Sequence, residues 1–283
     1  MKIIFDVGVF LRKLFCPLLS RIVSIYLPYK VVIEQPCCPV ADGPVIYVAN
    51  HFCFADVPIM GMITPTHSYI LMGKQRLRFV DRLYCMLNGA IWVDRQGKMS
   101  KEAAKKAITI HLKNGRSVII FPEGTWNLTE HLLMLPMKWG IVDIAKETGA
   151  KIIPVALEYD REKKTCFVQF GTPMSFLLED DKSNAISTLR DTLATMRWMF
   201  WERKGVFSRR ELNISTERQK QFYSVEEYPP IEWDYECSCI YHPYFEPKEA
   251  FAHLQQLIPN RENAFLFRER YKFTGEKRMF FEE

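Results

Sequence analysis

Between residues 45 and 203 the chain alternates short apolar runs with longer amphipathic ones, and this alternation restricts the fold more than any other feature. The run 45–49 is Val-Ile-Tyr-Val-Ala, uncharged and too brief for a helix, so it reads as a buried strand. The runs 68–72, 90–93, 118–121, 152–157 and 165–170 read the same way. Residues 79–87 read as a helix ended by Asn88-Gly89. Ser100 reads as the cap of a further helix through Leu112, with Ala103, Ala104, Ala107, Ile108 and Leu112 on one face and Asn114-Gly115 as its stop. Helices over 138–148, closed by Gly149, and over 183–203 complete the series. Strands and amphipathic helices in alternation give an α/β fold, a mixed and largely parallel sheet flanked by helices.

Two flanks stand outside this pattern. Residues 1–35 form an N-terminal segment closed by the turn-rich stretch 36–43. Phe5, Val9, Leu11, Phe15, Leu18, Leu19, Ile22 and Ile25 suit one lipid-facing side of a helix, with Arg12, Lys13 and Arg21 reaching headgroups. The same stretch also reads as a plain helix packed on the core. Asp6, Arg12, Lys13 and Arg21 interrupt it, whereas a bilayer span needs about 20 apolar residues. Asp6 ahead of the apolar run also argues against a signal peptide. Residues 206–283 form a C-terminal extension of open role, with an aromatic turn-like stretch at 228–235 and a helix expected over 247–257. The division expected is therefore 1–35, 36–205 and 206–283.

Composition excludes several classes. With 48% hydrophobic and 25% charged residues the chain can bury a large core and is far from the disordered range. A net charge of +5, without an arginine-rich run or a zinc-finger or helix-turn-helix signature, does not point to nucleic acid. It suits an anionic membrane surface or a phosphate-bearing substrate. The eight cysteines are scattered, several in apolar runs, which fits a reducing cytoplasm and not a disulfide framework. Cys237, Cys239 and His242 lie close together but fit no common zinc spacing, so no metal is expected.

The strand ends carry the reactive side chains. Asn50-His51 follows the first strand, and Asp56 stands five residues beyond His51. An imidazole at a strand exit can act as a general base near neutral pH, and a carboxylate folded back onto it fixes the tautomer. Without company, His51 also reads as a loop histidine satisfied by its neighbours. Phe121-Pro122-Glu123-Gly124-Thr125 follows another strand, its proline and glycine setting a tight turn and Glu123 offering a carboxylate. Val93 is followed by Asp94-Arg95, a guanidinium able to fork a phosphate or to form a surface ion pair. Lys74 and Arg76 add positive charge past a fourth strand. Four strand exits with reactive-type residues are harder to dismiss than any single one.

These segments resemble the lysophospholipid acyltransferase superfamily, which includes the 1-acylglycerol-3-phosphate acyltransferases. His51 with Asp56 matches its His-x4-Asp block, residues 89–95 its second block, 121–125 its third and Ile153-Pro154-Val155-Ala156 its fourth. Phe170-Gly171-Thr172-Pro173 resembles a segment that follows. The resemblance covers about residues 30 to 205. It implies that His51 deprotonates an acceptor hydroxyl with Asp56 orienting it, and that the oxygen attacks a thioester carbonyl directly. It also implies that Glu123 and Gly124 bind the glycerol-phosphate portion of the acceptor and Arg95 its phosphate; Lys74 and Thr125 are further substrate-binding candidates. Trp126 stands where the family usually has arginine, which implies a bulkier or less charged headgroup. Cys53 stands where serine is frequent.

The reading that results is an O-acyltransferase with no cofactor, using acyl-CoA or acyl carrier protein as donor. Its partners are membrane lipids, and its place is the cytoplasmic face of a membrane, peripheral or monotopic. Two rivals remain open at this point: a lipid or thioester hydrolase, against which the absence of a Gly-x-Ser-x-Gly elbow counts, and a degenerate lipid-binding membrane protein.

Overall fold

The computed structural model describes residues 18, 21, 22, 24, 25, 27–34, 42–65, 68–74, 79–94, 97–124, 126, 133–135, 137, 138, 140–160, 163–178 and 180–203. The expected helix at 247–257, the Cys237–Cys239–His242 group, Arg95 and Thr125 lie outside the described residues. Leu18, Arg21, Ile22, Ser24 and Ile25 are helical and exposed; the rest of the expected lipid-facing set lies outside the described residues. Among the described residues no helix is long and apolar enough to cross a membrane.

Seven strands among the described residues form one sheet: β1 (Lys30–Ile33), β2 (Val45–Ala49), β3 (Tyr69–Gly73), β4 (Ala90–Val93), β5 (Val118–Ile120), β6 (Lys151–Asp160) and β7 (Thr165–Phe170). Their order across the sheet is β1-β7-β6-β2-β5-β3-β4. The five strands from β6 to β4 run parallel. β7 turns back antiparallel on β6, and β1 adds parallel to β7. The sheet is therefore mixed and largely parallel, as the alternation implied. Every residue of β2 is buried, as are the eight interior residues of β6, because a parallel sheet is covered on both faces.

The helices divide between the two faces. α1 (Asp56–Ile63) places Ile59 and Met60 against Tyr47, Ala49, Ile119 and Val155. α2 (Phe79–Leu87) links β3 to β4. α3 (Lys98–Lys113), α4 (Gly140–Thr148) and α5 (Lys182–Arg203) cover the other face, with Ile108, Leu112, Ile141, Val142, Leu189 and Leu193 packed over Ile46, Val48 and Ile120. Burying about a dozen such side chains at roughly 1.5–3 kcal/mol each is the main favourable term in a core of this kind.

Three local expectations are corrected. Lys30–Ile33 was expected inside a helical N-terminal appendage; it is a strand, paired residue for residue with Thr165–Val168, so the sheet begins before residue 36. Ser100 does not cap α3. The cap is Gly97, three residues earlier, and the Ser100 hydroxyl instead accepts a hydrogen bond from the Asp94 amide at 2.9 Å. Ala103 is exposed, and Thr109 takes a buried place on that helix. Gly171 has a packing reason: a Cβ there would lie 2.7 Å from the Pro154 ring and 3.0 Å from the Met196 sulfur.

The connections position the site. The chain leaving β2 passes to α1 on one face, and the chain leaving β5, the neighbouring strand, leads to α4 on the other. Connections that diverge to opposite faces from adjacent parallel strands open a crevice at their C-terminal ends.

Candidate active site

At the exit of β2, Asn50 is buried and pinned to β6 by a two-way clamp. Its amide nitrogen donates to the Leu157 carbonyl at 3.0 Å, and its amide oxygen accepts from the Leu157 N–H at 2.8 Å. With Asn50 fixed, the next residue turns out of the sheet. The His51 backbone N–H donates to Glu123 Oε1 at 2.8 Å, and the ring stacks on Phe121 with centroids 4.3 Å apart. Trp126 meets the ring edge-on at 5.9 Å. The aromatic in the family's arginine position thus borders the imidazole itself.

Asp56 opens α1 and folds back over the preceding turn. Its Oδ2 accepts from the Cys53 N–H at 2.9 Å, from the Phe52 N–H, and from His51 Nδ1 at 2.8 Å. A carboxylate only accepts, so the Nδ1 nitrogen carries the proton and Nε2 presents a lone pair. Among the described residues Nε2 has no hydrogen-bond partner. The His51 side chain keeps 15% of its surface exposed while that of Asp56 is wholly buried. The imidazole is therefore partly open to solvent while the carboxylate that holds it is not.

Oδ1 of Asp56 accepts from the Tyr159 hydroxyl, which comes from β6. Tyr159 is buried; burial first, and the Asp56 charge second, push its pKa up, so the phenol stays protonated and donates. Cys53 is buried beneath the same carboxylate, its Sγ 3.9 Å from Oδ1. Buried there, it is poorly placed to act as a nucleophile.

Glu123 differs from what its position at a strand exit implies. It is buried, and both oxygens are taken by backbone amides: Oε1 by His51 and Oε2 by Leu135 at 2.7 Å. Burial raises its pKa to about 7, against the lowering effect of those two N–H donors and of Arg197. Glu123 ties the β2 exit to the segment leading toward α4. Gly124 beside it has φ +71°, and a Cβ there would sit 2.8 Å from Lys138 Cε, so the turn tolerates little besides glycine. Lys138 thus lies over the glycine with its amide bonded to the Pro122 carbonyl at 2.9 Å.

The structure brings His51, Asp56, Glu123 and Gly124 into one cluster. Lys74 is exposed at the exit of β3, one strand past β5 and at the same end of the sheet. Three supporting residues were not found by sequence reasoning. Tyr159 lies in an apolar strand 103 positions from its partner. Arg197 is buried on α5, where it donates to Glu158 at 3.1 and 3.3 Å and to the Leu133 carbonyl, bracing the segment that holds Leu135. Lys138 carried no local signal beyond being a charge before a helix.

Residues 30–158 match the acyltransferase family model. The match spans β1 to β6 and contains every residue of the cluster. The acyltransferase stretch is similar to 1-acyl-sn-glycerol-3-phosphate acyltransferase of Saccharomyces cerevisiae, 32% identical over 134 residues, covering 46% of this chain and 43% of that protein. The protein of the same description from Borreliella burgdorferi is 30% identical over 165 residues, 53% of this chain and 64% of its own. Lyso-ornithine lipid O-acyltransferase of Pseudomonas aeruginosa is 27% identical over 119 residues, 42% of this chain and 45% of its own. The chain thus spans less than two thirds of these relatives. The crystal structure of the 1-acyl-sn-glycerophosphate acyltransferase of Thermotoga maritima superposes with a TM-score of 0.53 at 20% identity, over 66% of this chain and 81% of that one, and shares the fold.

Proposed function

We propose that the protein transfers a fatty acyl group from a thioester donor, acyl-CoA or acyl carrier protein, to a hydroxyl of a lysophospholipid-like acceptor. The observation that carries this is the His51 imidazole, its Nδ1–H held by a wholly buried Asp56 and its side chain still partly open to solvent. In this arrangement Nε2 takes the proton as the acceptor oxygen attacks the thioester carbonyl. The C–O bond forms, the tetrahedral intermediate collapses with loss of the C–S bond, and the imidazolium returns its proton to the departing thiolate. Asp56 stabilises the imidazolium and keeps the ring turned. No residue need be acylated, which agrees with the buried position of Cys53.

The acceptor is of the glycerol-3-phosphate type in this reading. Relatives named for a 1-acyl-sn-glycerol-3-phosphate and for a lyso-ornithine lipid match this stretch, so in this reading headgroup choice rests on residues around the dyad. Trp126 against the imidazole, Lys138 over Gly124 and the exposed Lys74 are the side chains that supply it here. Arg95 joins them as a phosphate contact on the family resemblance, and Thr125 as a further substrate-binding candidate. The exposed helical residues Leu18, Ile22 and Ile25 support work at a membrane surface, peripheral or monotopic; the cytoplasmic side is the one that suits eight scattered cysteines.

The test is direct. Purified protein is incubated with labelled acyl-CoA or acyl carrier protein and a panel of lysolipids, and products are identified by mass spectrometry. A diacyl product from at least one acceptor is expected. Release of free fatty acid alone, at the same rate with and without lysolipid, would mean a hydrolase.

A further inference from the structure

We infer that Tyr159 is a positioning residue of the dyad, holding Asp56 from the side opposite His51; the inference rests on the catalytic reading of that pair. The two oxygens of Asp56 are loaded unequally. Oδ2 accepts from Phe52 N–H, Cys53 N–H and His51 Nδ1–H. Oδ1 has, among the described residues, a single oxygen or nitrogen donor, the Tyr159 hydroxyl, beside the weak thiol contact of Cys53 at 3.9 Å. The carboxylate has no solvent exposure to make good a missing donor.

Without the phenol, the carboxylate gains by rotating so that Oδ1 shares the two backbone amides. That rotation moves Oδ2 away from the line to Nδ1 and frees the imidazole to turn. Tyr159 prevents it because its own ring is immobilised. It stacks on Phe52 at 5.3 Å with planes 14° apart, and Tyr29, just ahead of β1, meets it edge-on at 4.8 Å. Position 159 is also near the end of the longest strand, where pairing of Tyr159 with Cys166 of β7 fixes the backbone. Burial and then the neighbouring carboxylate hold the hydroxyl protonated above the usual phenol range, so it remains a donor. The reversed β6–β7 edge, which bears no residue that meets the acceptor in this account, thus supplies a fixed donor to the catalytic pair.

Tyr159→Phe keeps the ring and removes only the donor. Under the inference kcat for acyl transfer falls about tenfold with KM unchanged, while near-UV circular dichroism stays as in the wild type. In an Asp56→Asn background the same change costs less than twofold, because there is no carboxylate left to hold. An unchanged kcat in the single variant, or an equal loss in both backgrounds, overturns the inference. The His51 Hε1 resonance reads the clamp without turnover. Removal of the hydroxyl shifts it, and an unmoved resonance counts against Tyr159 whether or not the protein transfers acyl groups. If Tyr159→Phe does not fold, 3-fluorotyrosine at 159 retains shape and hydroxyl and changes donor strength alone; the same resonance must move. Absence of acyl transfer by the wild-type protein, with the resonance shift intact, overturns the catalytic reading and leaves the clamp standing.

Discussion

Asp56 and Glu123 are both buried carboxylates at the C-terminal end of the sheet, and on the proposed mechanism the contrast between them separates chemistry from architecture. Asp56 gathers a ring N–H, two amides and a phenol, and through the ring N–H it acts on an imidazole that is partly open to solvent. Glu123 gathers two amides from segments 84 residues apart in the chain, and among the described residues its hydrogen bonds go to backbone alone. Its charge is so poorly compensated that burial lifts its pKa to about 7. A carboxylate beside a histidine is therefore not by itself a catalytic one; what matters is whether its donors lead to a group that meets substrate.

The contrast is sharpened first by Asp56→Asn. The amide can present an N–H to Nδ1 and favour the wrong tautomer, so kcat is expected to drop by on the order of 10³-fold, about 4 kcal/mol, with the fold kept. Retained activity in steady-state assays would put Asp56 in the same architectural class as Glu123.

Glu123 is expected to reveal itself in stability against pH. The unfolded chain releases this proton near 4.5 and the folded one near 7. Between those values the folded state holds a proton that the unfolded state has lost, so the group's contribution is greatest below pH 4.5. It declines as pH rises toward 7 and is flat above it. Urea unfolding of the wild type and of Glu123→Gln, compared from pH 5 to pH 8, should diverge by on the order of 3 kcal/mol, the wild type losing relative stability as pH rises. Parallel curves would mean that the carboxyl is not desolvated.

Gly124→Ala asks whether the turn carrying Glu123 is strained against side chains. The left-handed backbone and the approach of Lys138 together should cost about 1–2 kcal/mol in thermal or urea unfolding. The smallest effect is expected from Trp126→Ala. Its edge contact with the imidazole is worth about 0.5–1.5 kcal/mol, so kcat changes by a few-fold, with a larger change in the ranking of acceptors.

Much of this was readable in the chain. Periodicity located α2, β4 and β7 to the residue, because their ends are marked by turn formers or by abrupt polarity changes. His51 and Asp56 were readable because the turn joining them is local. β1 was not, since four residues flanked by Pro28, Tyr29 and Glu34 have no periodicity long enough to set against a helix, and their partner strand lies 135 positions away. Tyr159, Arg197 and the burial of Glu123 were invisible for the same reason. Each acquires meaning only from a partner that tertiary folding brings in, over 103, 39 and 72 positions. Ser100 misled because a serine at a helix start has a second use, accepting from the amide of the preceding strand exit.

The central claim is that Nε2 of His51 removes the proton from the acceptor hydroxyl. His51→Ala, assayed as purified protein with the acceptor preferred by the wild type, is predicted to lose about 10²–10⁴-fold in kcat while still binding lysolipid. Turnover equal to that of the wild type would contradict it.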